Sequence, residues 1–335
     1  VSGTKALSLL SGGLDSLLAT RLVMEQGVEV IALHFITPFF GYQKKGQEER
    51  YQEKWKRLYG ISARIIDVSD DYFRMLRSPK YGYGKNFNPC IDCKIFLLSR
   101  AREMMEDERA DFLVTGEVLG QRPMSQRRDT LRVIERDSGT DGLLLRPLCA
   151  RLLKPTRPET EGLVDRNKLL AMSGRGRKPQ MELAERMGIR DYPAPAGGCL
   201  LTDPQMANRI RKMFSRSREV TVSGVLLLQM GRHFQLSEDQ HLVVGRKEEE
   251  NEKLLSLSRG GDFLLSLRGI PGPLGLLRGR VDDAGLRVAA SIVARYSKAR
   301  DKEAAEVEVE GKPGSGGVRV TVVPAREEEI LSLKF

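Results

Sequence analysis

Six residues near the start of the chain, Ser11-Gly12-Gly13-Leu14-Asp15-Ser16, fit neither a strand nor a helix pattern. Paired glycines let a backbone approach a ligand closely, and two serines bring hydroxyl donors. A helix beginning just after them would present unpaired N–H groups and the positive end of its dipole. Together these residues predict a cradle for phosphates. Asp15 is the exception, because a carboxylate beside bound phosphates is repelled unless it orients Mg²⁺ or a hydrogen bond of the nucleotide. No Gly-Lys-Ser/Thr ending follows, so the loop is not a P-loop and a kinase or GTPase reading is set aside. His34, near the end of the next apolar run, is placed either to bracket an adenine or as an ordinary satisfied histidine at a sheet edge.

The second chemical signal is the cysteines. Cys90 and Cys93 stand in "NPCIDCKIFLLSRAREMM", where Pro89 opposes helix at Asn88 while Ile95, Phe96, Leu98 and Met105 recur at helical spacing. A helix starting near the cysteines would point both thiols the same way, and its dipole together with Lys94 is expected to lower their pKa values. Cys199 lies in the glycine-bearing loop "PAPAGGCLLTDP". Cys90, Cys93 and Cys199 then offer three ligands for a metal, and four readings stay open. They hold a 4Fe-4S cluster with one iron free, they include a metal-free catalytic thiol pair of Cys93 and Cys199, they bind zinc with Cys149 as fourth ligand, or the Cys-x-x-Cys spacing is incidental. Cys149, inside "LLLRPLCARLL", otherwise reads as buried packing.

Elements able to position these groups are visible on either side. Apolar runs at Ala6–Leu10, Val28–Phe35, Ala63–Val68, Asp111–Thr115 and Gly142–Leu145 alternate with helical patterns at Ser16–Glu25, Gln47–Leu58 and Ile95–Met105. Such alternation predicts βαβ units: an α/β fold with a doubly wound, Rossmann-like parallel sheet, whose ligands lie at the carboxyl ends of the strands. A length of 335 residues suggests two domains. We expect the first at residues 1–203, a basic connecting segment at 204–230 carrying Arg209, Arg211, Lys212, Arg216 and Arg218, and a smaller α+β domain at 231–335. The last domain includes a hairpin signal in "EVEVEGKPGSGGVRVTVV". The net charge of +10 suits a polyanionic partner. With no apolar run near about 18 residues and no signal sequence, the expectation is a soluble cytoplasmic protein.

The string Ser-Gly-Gly-Leu-Asp-Ser resembles the PP-loop of the ATP pyrophosphatases, which split ATP between its α- and β-phosphates and adenylate a carbonyl oxygen. With "NPCIDCK" it is similar to the tRNA 2-thiouridylases. "TGEVLGQRPMSQ" and "LLLRPL" resemble the corresponding domain of the tRNA 4-thiouridine synthases. This resemblance covers about the first 200 residues. It implies an adenine nucleotide alpha hydrolase-like fold, ATP contacts at Ser11, Gly12, Gly13, Leu14, Asp15, Ser16 and Gly116, and sulfur-handling thiols at Cys93 and Cys199. Cys90 would be the added ligand of a 4Fe-4S cluster. Glu117, Gln121, Ser125 and Gln126 are further candidates for holding nucleotide or target base. Residues from about Gly231 to Lys312 are similar to the RNA-binding domain of NFACT proteins. That likeness implies phosphate contacts at Arg232, Arg246, Lys247, Arg278, Arg280, Arg295, Lys298 and Arg300.

The function these resemblances imply is tRNA uridine thiolation: ATP with Mg²⁺ adenylates a uridine carbonyl oxygen, with Asp15 in the catalytic set, and sulfur displaces AMP. No rhodanese-like segment occurs, which favours inorganic sulfide over a persulfide carrier as donor. Three rivals share parts of the pattern: an amidating or lysidine-forming PP-loop enzyme, a non-enzymatic RNA- or ribosome-binding protein, and an enzyme that thiolates a small molecule.

Overall fold

The structure, a computed structural model, describes residues 3–192, 198–216, 220–311 and 317–334. Two compact units divide the chain, residues 1–214 and 215–335. Residues 193–197 of the loop before Cys199, Arg218 of the basic segment and the 312–316 turn of the hairpin lie outside the described residues.

In the first unit the short apolar runs form parallel strands, largely buried on both faces except at the edge strand over Ser62–Asp67, which exposes Ser62, Arg64 and Asp67. The strands are β1 (Lys5–Leu9), β2 (Glu29–Ile36), β3 (Ser62–Asp67), β4 (Phe112–Thr115) and β5 (Leu144–Leu145), in the order β3-β2-β1-β4-β5. The helices are α1 (Leu14–Met24), α2 (Glu48–Tyr59), α3 (Ser69–Arg77), α4 (Cys90–Glu108), α5 (Arg128–Ser138), α6 (Arg157–Thr160), α7 (Lys178–Arg186) and α8 (Pro204–Arg216). On one face Leu17, Leu18 and Leu22 of α1, Trp55 and Tyr59 of α2 and Leu183 of α7 pack on Ala6, Val30, Ala32, Phe112 and Val114. On the other, Leu98 and Ala101 of α4 and Ile134 of α5 pack on Leu7, Ile31, Leu33 and Leu113. Strand side chains alternate between these two cores with the period of two that a pleated strand imposes. This is the doubly wound, Rossmann-like sheet expected.

The direction of connection reverses between β1 and β4, and ligands of such sheets sit in the crevice outside the strand ends at that point. Here the crevice is unusually narrow. A Cβ on Gly116, directly after β4, would lie 2.4 Å from the Asp15 carbonyl carbon and 2.4 Å from the Ser16 amide nitrogen. Glycine is required because backbone occupies that space.

The second unit is an antiparallel sheet with helices. Its strands β6 (Arg232–Gln235), β7 (His241–Val244), β8 (Phe263–Leu267), β9 (Gly275–Arg278), β10 (Ala305–Glu310) and β11 (Val318–Val322) lie in the order β11-β10-β8-β9-β7-β6. The helices are α9 (Val222–Leu228), α10 (Glu248–Leu257), α11 (Asp283–Arg295) and α12 (Glu327–Leu331). Ala289, Ala290, Ile292 and Val293 of α11 pack on Phe234, Leu242, Val244, Leu265, Leu277 and Val307. Leu227 of α9 and Leu254 of α10 pack on Val243, Leu264 and Leu276. Residues 204–230, read as a connector from the sequence, are divided between the units: α8 through Phe214 belongs to the first and α9 to the second.

Because a Cβ at Gly116 has no flexible side chain to displace, Gly116→Ala is expected to lower the unfolding free energy of the first unit by about 1–3 kcal/mol, as overpacking does. Trp55, the single tryptophan, reports on that unit alone in a urea titration. A midpoint equal to that of the unmodified chain would contradict the close approach.

Candidate active site

The loop after β1 is folded by its own hydroxyls. Ser16 Oγ donates to the Gly13 carbonyl (2.9 Å), accepts from the Ser11 amide (3.2 Å) and lies 3.1 Å from Ser11 Oγ. Gly12 has φ +83°, a left-handed backbone that glycine adopts without strain. Helix α1 begins at Leu14, with Gly13 as an N-cap that brings no side-chain acceptor. The first-turn amides thus keep their capacity to donate to an anion. Leu14 turns its side chain into the core, so its backbone is what it offers. Asp15 is the second feature of the loop: Oδ1 is buried with no hydrogen-bond partner among the described residues, and Oδ2 is 3.9 Å from Arg177 Nη2. A buried carboxylate oxygen left unpaired is costly, and a Mg²⁺–nucleotide complex is a partner that fits it.

His34 is almost fully buried, with Nδ1 2.9 Å from the Tyr51 hydroxyl and Cε1 3.5 Å from where a Cβ on Gly12 would stand. Burial, reinforced by the charge of Lys44, lowers its pKa to about 3. It is the satisfied histidine of the two readings, and it also lies against the loop.

The cysteines come together at the same sheet edge. Cys90 and Cys93 stand on the first turn of α4, and Asn88 Nδ2 is 3.2 Å from Cys90 Sγ. Cys199 Sγ lies 3.9 Å from the Phe39 carbonyl oxygen. Between them is Tyr72, fully buried, whose hydroxyl bonds to Cys93 and whose ring contacts Phe39, Phe40 and Phe96 at 5.4–6.0 Å. Burial and the three neighbouring thiols raise the Tyr72 pKa well above its usual value, so it remains a proton donor. The thiols themselves correct an expectation. Burial raises the Cys93 pKa, outweighing the lowering by Tyr72 and Lys94, and burial pushes Cys199 up to about 12. Desolvation defeats the helix dipole and the lysine.

Among the described residues, no three His, Cys, Asp or Glu side chains are grouped to hold a single metal ion. The zinc reading lacks its fourth ligand as well, since Cys149 is buried elsewhere and donates to the Glu117 carbonyl (3.3 Å). Burial pushes that thiol to about 11. The chemistry of the donor set still fits a cluster, which distributes its thiolate ligands over several irons. Three partly buried sulfurs, of which burial makes the Cys93 and Cys199 protons hard to remove, form a set that a cationic centre would deprotonate and hold.

Sequence reasoning missed the ion network that connects the two halves of the site. Glu117, buried beside Gly116, lies 2.9 Å from Arg146 Nε and 3.4 Å from Lys94 Nζ, and Arg146 also bonds to Glu135. Burial alone would raise the Glu117 pKa, but the Lys94 and Arg146 charges outweigh it and hold the carboxyl low. Glu117 is therefore engaged with protein cations. Gln126 is likewise occupied, its Oε1 accepting from the Arg122 amide at 3.0 Å. Ser125 is buried, and Gln121 Nε2 is buried without a partner.

In the second unit, strand register sorts the eight basic candidates. Arg232 pairs with Val244, and Gly275 with Val244, whereas Arg278 pairs with His241. Arg232, Arg246 and Lys247 thus stand at one end of the sheet and Arg278 and Arg280 at the other. Helix α11 starts beside Arg280, whose carbonyl accepts from Gln240, and Arg232 lies 4.5 Å over the ring of Tyr296 just past its end. Arg295, Lys298 and Arg300 therefore join the first group. Their ion pairs, Lys247–Glu249, Arg295–Glu327 and Arg300–Asp301, are at the surface and cheap to exchange for phosphate. Arg278 is a correction: two bonds to buried Asp262 (2.6 and 2.8 Å) and one to the Leu257 carbonyl leave it a structural clamp.

Comparison with known proteins agrees with this division. Residues 1–151 match the family described as thiamine biosynthesis protein (ThiI), and residues 231–334 match the NFACT protein RNA binding domain. A probable tRNA sulfurtransferase of Thermococcus kodakarensis is 30% identical over 148 residues, covering 43% of this chain and 36% of that protein. One of Methanothermobacter thermautotrophicus is 34% identical over 119 residues, covering 35% and 30%. The chain thus spans about a third of the length of the curated relatives it matches. Among solved structures, the U34-tRNA thiolase NcsA from Methanococcus maripaludis with its 4Fe-4S cluster overlaps 59% of this chain and 61% of its own at 21% identity and a TM-score of 0.34. Within one polypeptide, residues 1–151 are thus similar to the ThiI family and residues 231–334 to the NFACT protein RNA binding domain.

Proposed function

We propose that this chain thiolates a uridine of tRNA at the expense of ATP. The observation that carries the proposal is spatial. A phosphate cradle with an unpartnered Asp15 oxygen and a cluster of three thiols hang from one sheet edge, linked through Gly116, Glu117 and Lys94. The naming of sequence relatives as probable tRNA sulfurtransferases supports it.

In the first step the α1 amides and the Ser11–Ser16 loop hold the phosphates of ATP while Asp15 orients Mg²⁺. A uridine carbonyl oxygen attacks the α-phosphorus, the bond to the β-phosphate oxygen breaks, and pyrophosphate leaves. In the second, sulfur adds to the activated carbon and AMP departs with the former carbonyl oxygen. Cys90, Cys93 and Cys199 would hold a 4Fe-4S cluster, which would supply a Lewis-acidic iron for binding inorganic sulfide. Tyr72 keeps its proton on the hydroxyl facing Cys93. A second reading, the thiol pair, rests on the proximity of Cys93 and Cys199 around Tyr72. There a persulfide from a carrier sits on Cys199, its outer sulfur displaces AMP, and the Cys93 thiolate attacks the inner sulfur, leaving a disulfide and the thiocarbonyl.

Exchange of labelled pyrophosphate into ATP in the presence of unmodified tRNA tests the first step. Asp15→Ala should reduce it by roughly 10²–10³-fold while tRNA affinity is retained. An optical spectrum of anaerobically purified protein tests the second: a broad absorption lost in Cys90→Ala, Cys93→Ala and Cys199→Ala, and kept in Cys149→Ala, supports the cluster. A colourless, active protein leaves the thiol pair.

With its folded pKa near 12 against about 8.5 for a free thiol, Cys199 stabilises the fold as a neutral group. That contribution is complete below about pH 8.5 and is lost as pH rises toward the folded value. In cluster-free protein at pH 8.5, iodoacetamide should therefore modify native Cys199 at least about a hundredfold more slowly than urea-unfolded Cys199. Equal rates would show that the sulfur is solvated.

RNA binding by the second unit is expected to run through its Arg232 end. Replacing Arg246, Lys247, Arg295 and Lys298 by Ala should reduce the slope of log K against log salt by about 3, measured by fluorescence anisotropy with tRNA. Arg278→Met should leave the slope unchanged and lower stability. The reverse pattern would place the phosphates at the other end.

A further inference from the structure

Two segments that flank the cysteines share an unusual charge pattern. Residues 77–89 lead into Cys90, and residues 204–214 form most of α8 a few residues after Cys199. Together they contain Arg77, Lys80, Lys85, Arg209, Arg211 and Lys212, and no aspartate or glutamate. They pack against each other. The Phe87 amide donates to the Leu201 carbonyl (3.2 Å), Asn86 Nδ2 bonds to the Thr202 carbonyl (2.5 Å), and Arg211 Nη2 reaches the Asn86 carbonyl (3.4 Å).

At the junction is a stack of rings and guanidiniums. Tyr83 lies on Phe87 with centroids 4.3 Å apart and planes at 18°, Phe87 meets Phe214 at 5.7 Å, Arg211 covers Phe87 at 5.7 Å and Arg77 covers Phe214 at 5.1 Å. Phe87 and Phe214 are buried, but Tyr83 is 39% exposed, its hydroxyl anchored to the Leu76 carbonyl at 2.7 Å. Arg77, Lys85 and Arg211 are exposed. The acidic groups around them are already committed: Asp137 pairs with Lys80, buried Asp92 accepts from the Tyr81 amide, and Asp203 accepts from the Met206 amide at the start of α8.

We infer that this surface is a second RNA contact, on the first unit, which holds the unpaired segment of the substrate next to the thiols. The inference rests on the proposed tRNA substrate and specifies where that substrate lies. An exposed, anchored ring among cations, with the neighbouring carboxylates already paired, is the combination that binds single-stranded nucleic acid: bases stack on the ring and phosphates meet the cations. Its position supplies the function. Phe87 is three residues before Cys90 and Leu201 two after Cys199, so a nucleotide held here is beside the sulfur. A reactive base must leave its helix to be modified, and the residues flanking it then need a single-strand site of this kind.

The test measures binding of unfractionated tRNA to the full chain by anisotropy across a salt series. Lys85→Glu with Arg211→Glu should reduce the salt slope by about 1.4, at about 0.7 for each single-strand phosphate contact. Tyr83→Ala should weaken binding about tenfold with the slope unchanged, and Tyr83→Phe should bind as the unmodified chain does. Lys85→Glu alone, whose side chain takes no part in the ring stack, should reduce the slope by about 0.7 and decides the matter if Arg211→Glu disturbs α8. Unchanged slopes in both charge variants would overturn the inference. Failure of the tRNA-dependent pyrophosphate exchange in the unmodified chain would instead remove the proposed activity, while the binding series would still judge the surface.

Discussion

A carboxylate with almost no access to solvent organises the first unit. Glu117 is 2% exposed and carries charge because the buried Arg146 and the half-buried Lys94 face it. Removing one member of such a buried pair typically costs about 3–5 kcal/mol, since the remaining charge has nowhere to go. Each partner belongs to a different element: Arg146 follows β5 and holds α5 through Glu135, and Lys94 is the residue after Cys93 on α4. Gly116, its neighbour in sequence, is wedged against Asp15 and Ser16. One dipeptide therefore sets both the approach of the Ser11–Ser16 loop and the position of the cysteine helix.

The second unit uses its charges differently. Arg278 and Asp262 form an interior clamp, while the cations at the Arg232 end hold weak surface partners or ring faces. Antiparallel pairing produces that separation, because consecutive strands bring β6, β7 and β9 termini to opposite ends of the sheet. Phosphate binding needs cations whose present partners can be surrendered, and the Arg232 end offers several of them.

Much of this was legible in the sequence where a local rule governs it. The run Val28–Phe35 appears as β2 (Glu29–Ile36), and Gln47–Leu58 as α2 (Glu48–Tyr59), because uninterrupted apolar runs and helical spacing are properties of neighbouring residues. Cys90 and Cys93 do open a helix, and the loop at Ser11 does sit at a strand-to-helix turn. What escaped was long-range. Helix α3 shows only Tyr72, Phe73 and Leu76 as buried apolar positions, too few to mark it, yet it carries the tyrosine between the thiols. The Cys93 acidity was misjudged because a dipole and a lysine can be read in sequence, whereas the burial beside Tyr72 that desolvates its sulfur cannot. Arg278 looks like any other arginine until register places Asp262 beside it.

His34 shows what such packing does to an ordinary ionisable group. Pressed against the glycines of the loop and tied to Tyr51, it cannot gain a proton until well below the pH of any cell. The wall it provides for the cradle is consequently one of constant charge. Acidification or alkalinisation across the living range leaves the field of that wall unaltered, and whatever sensitivity to pH the protein has must originate in other groups.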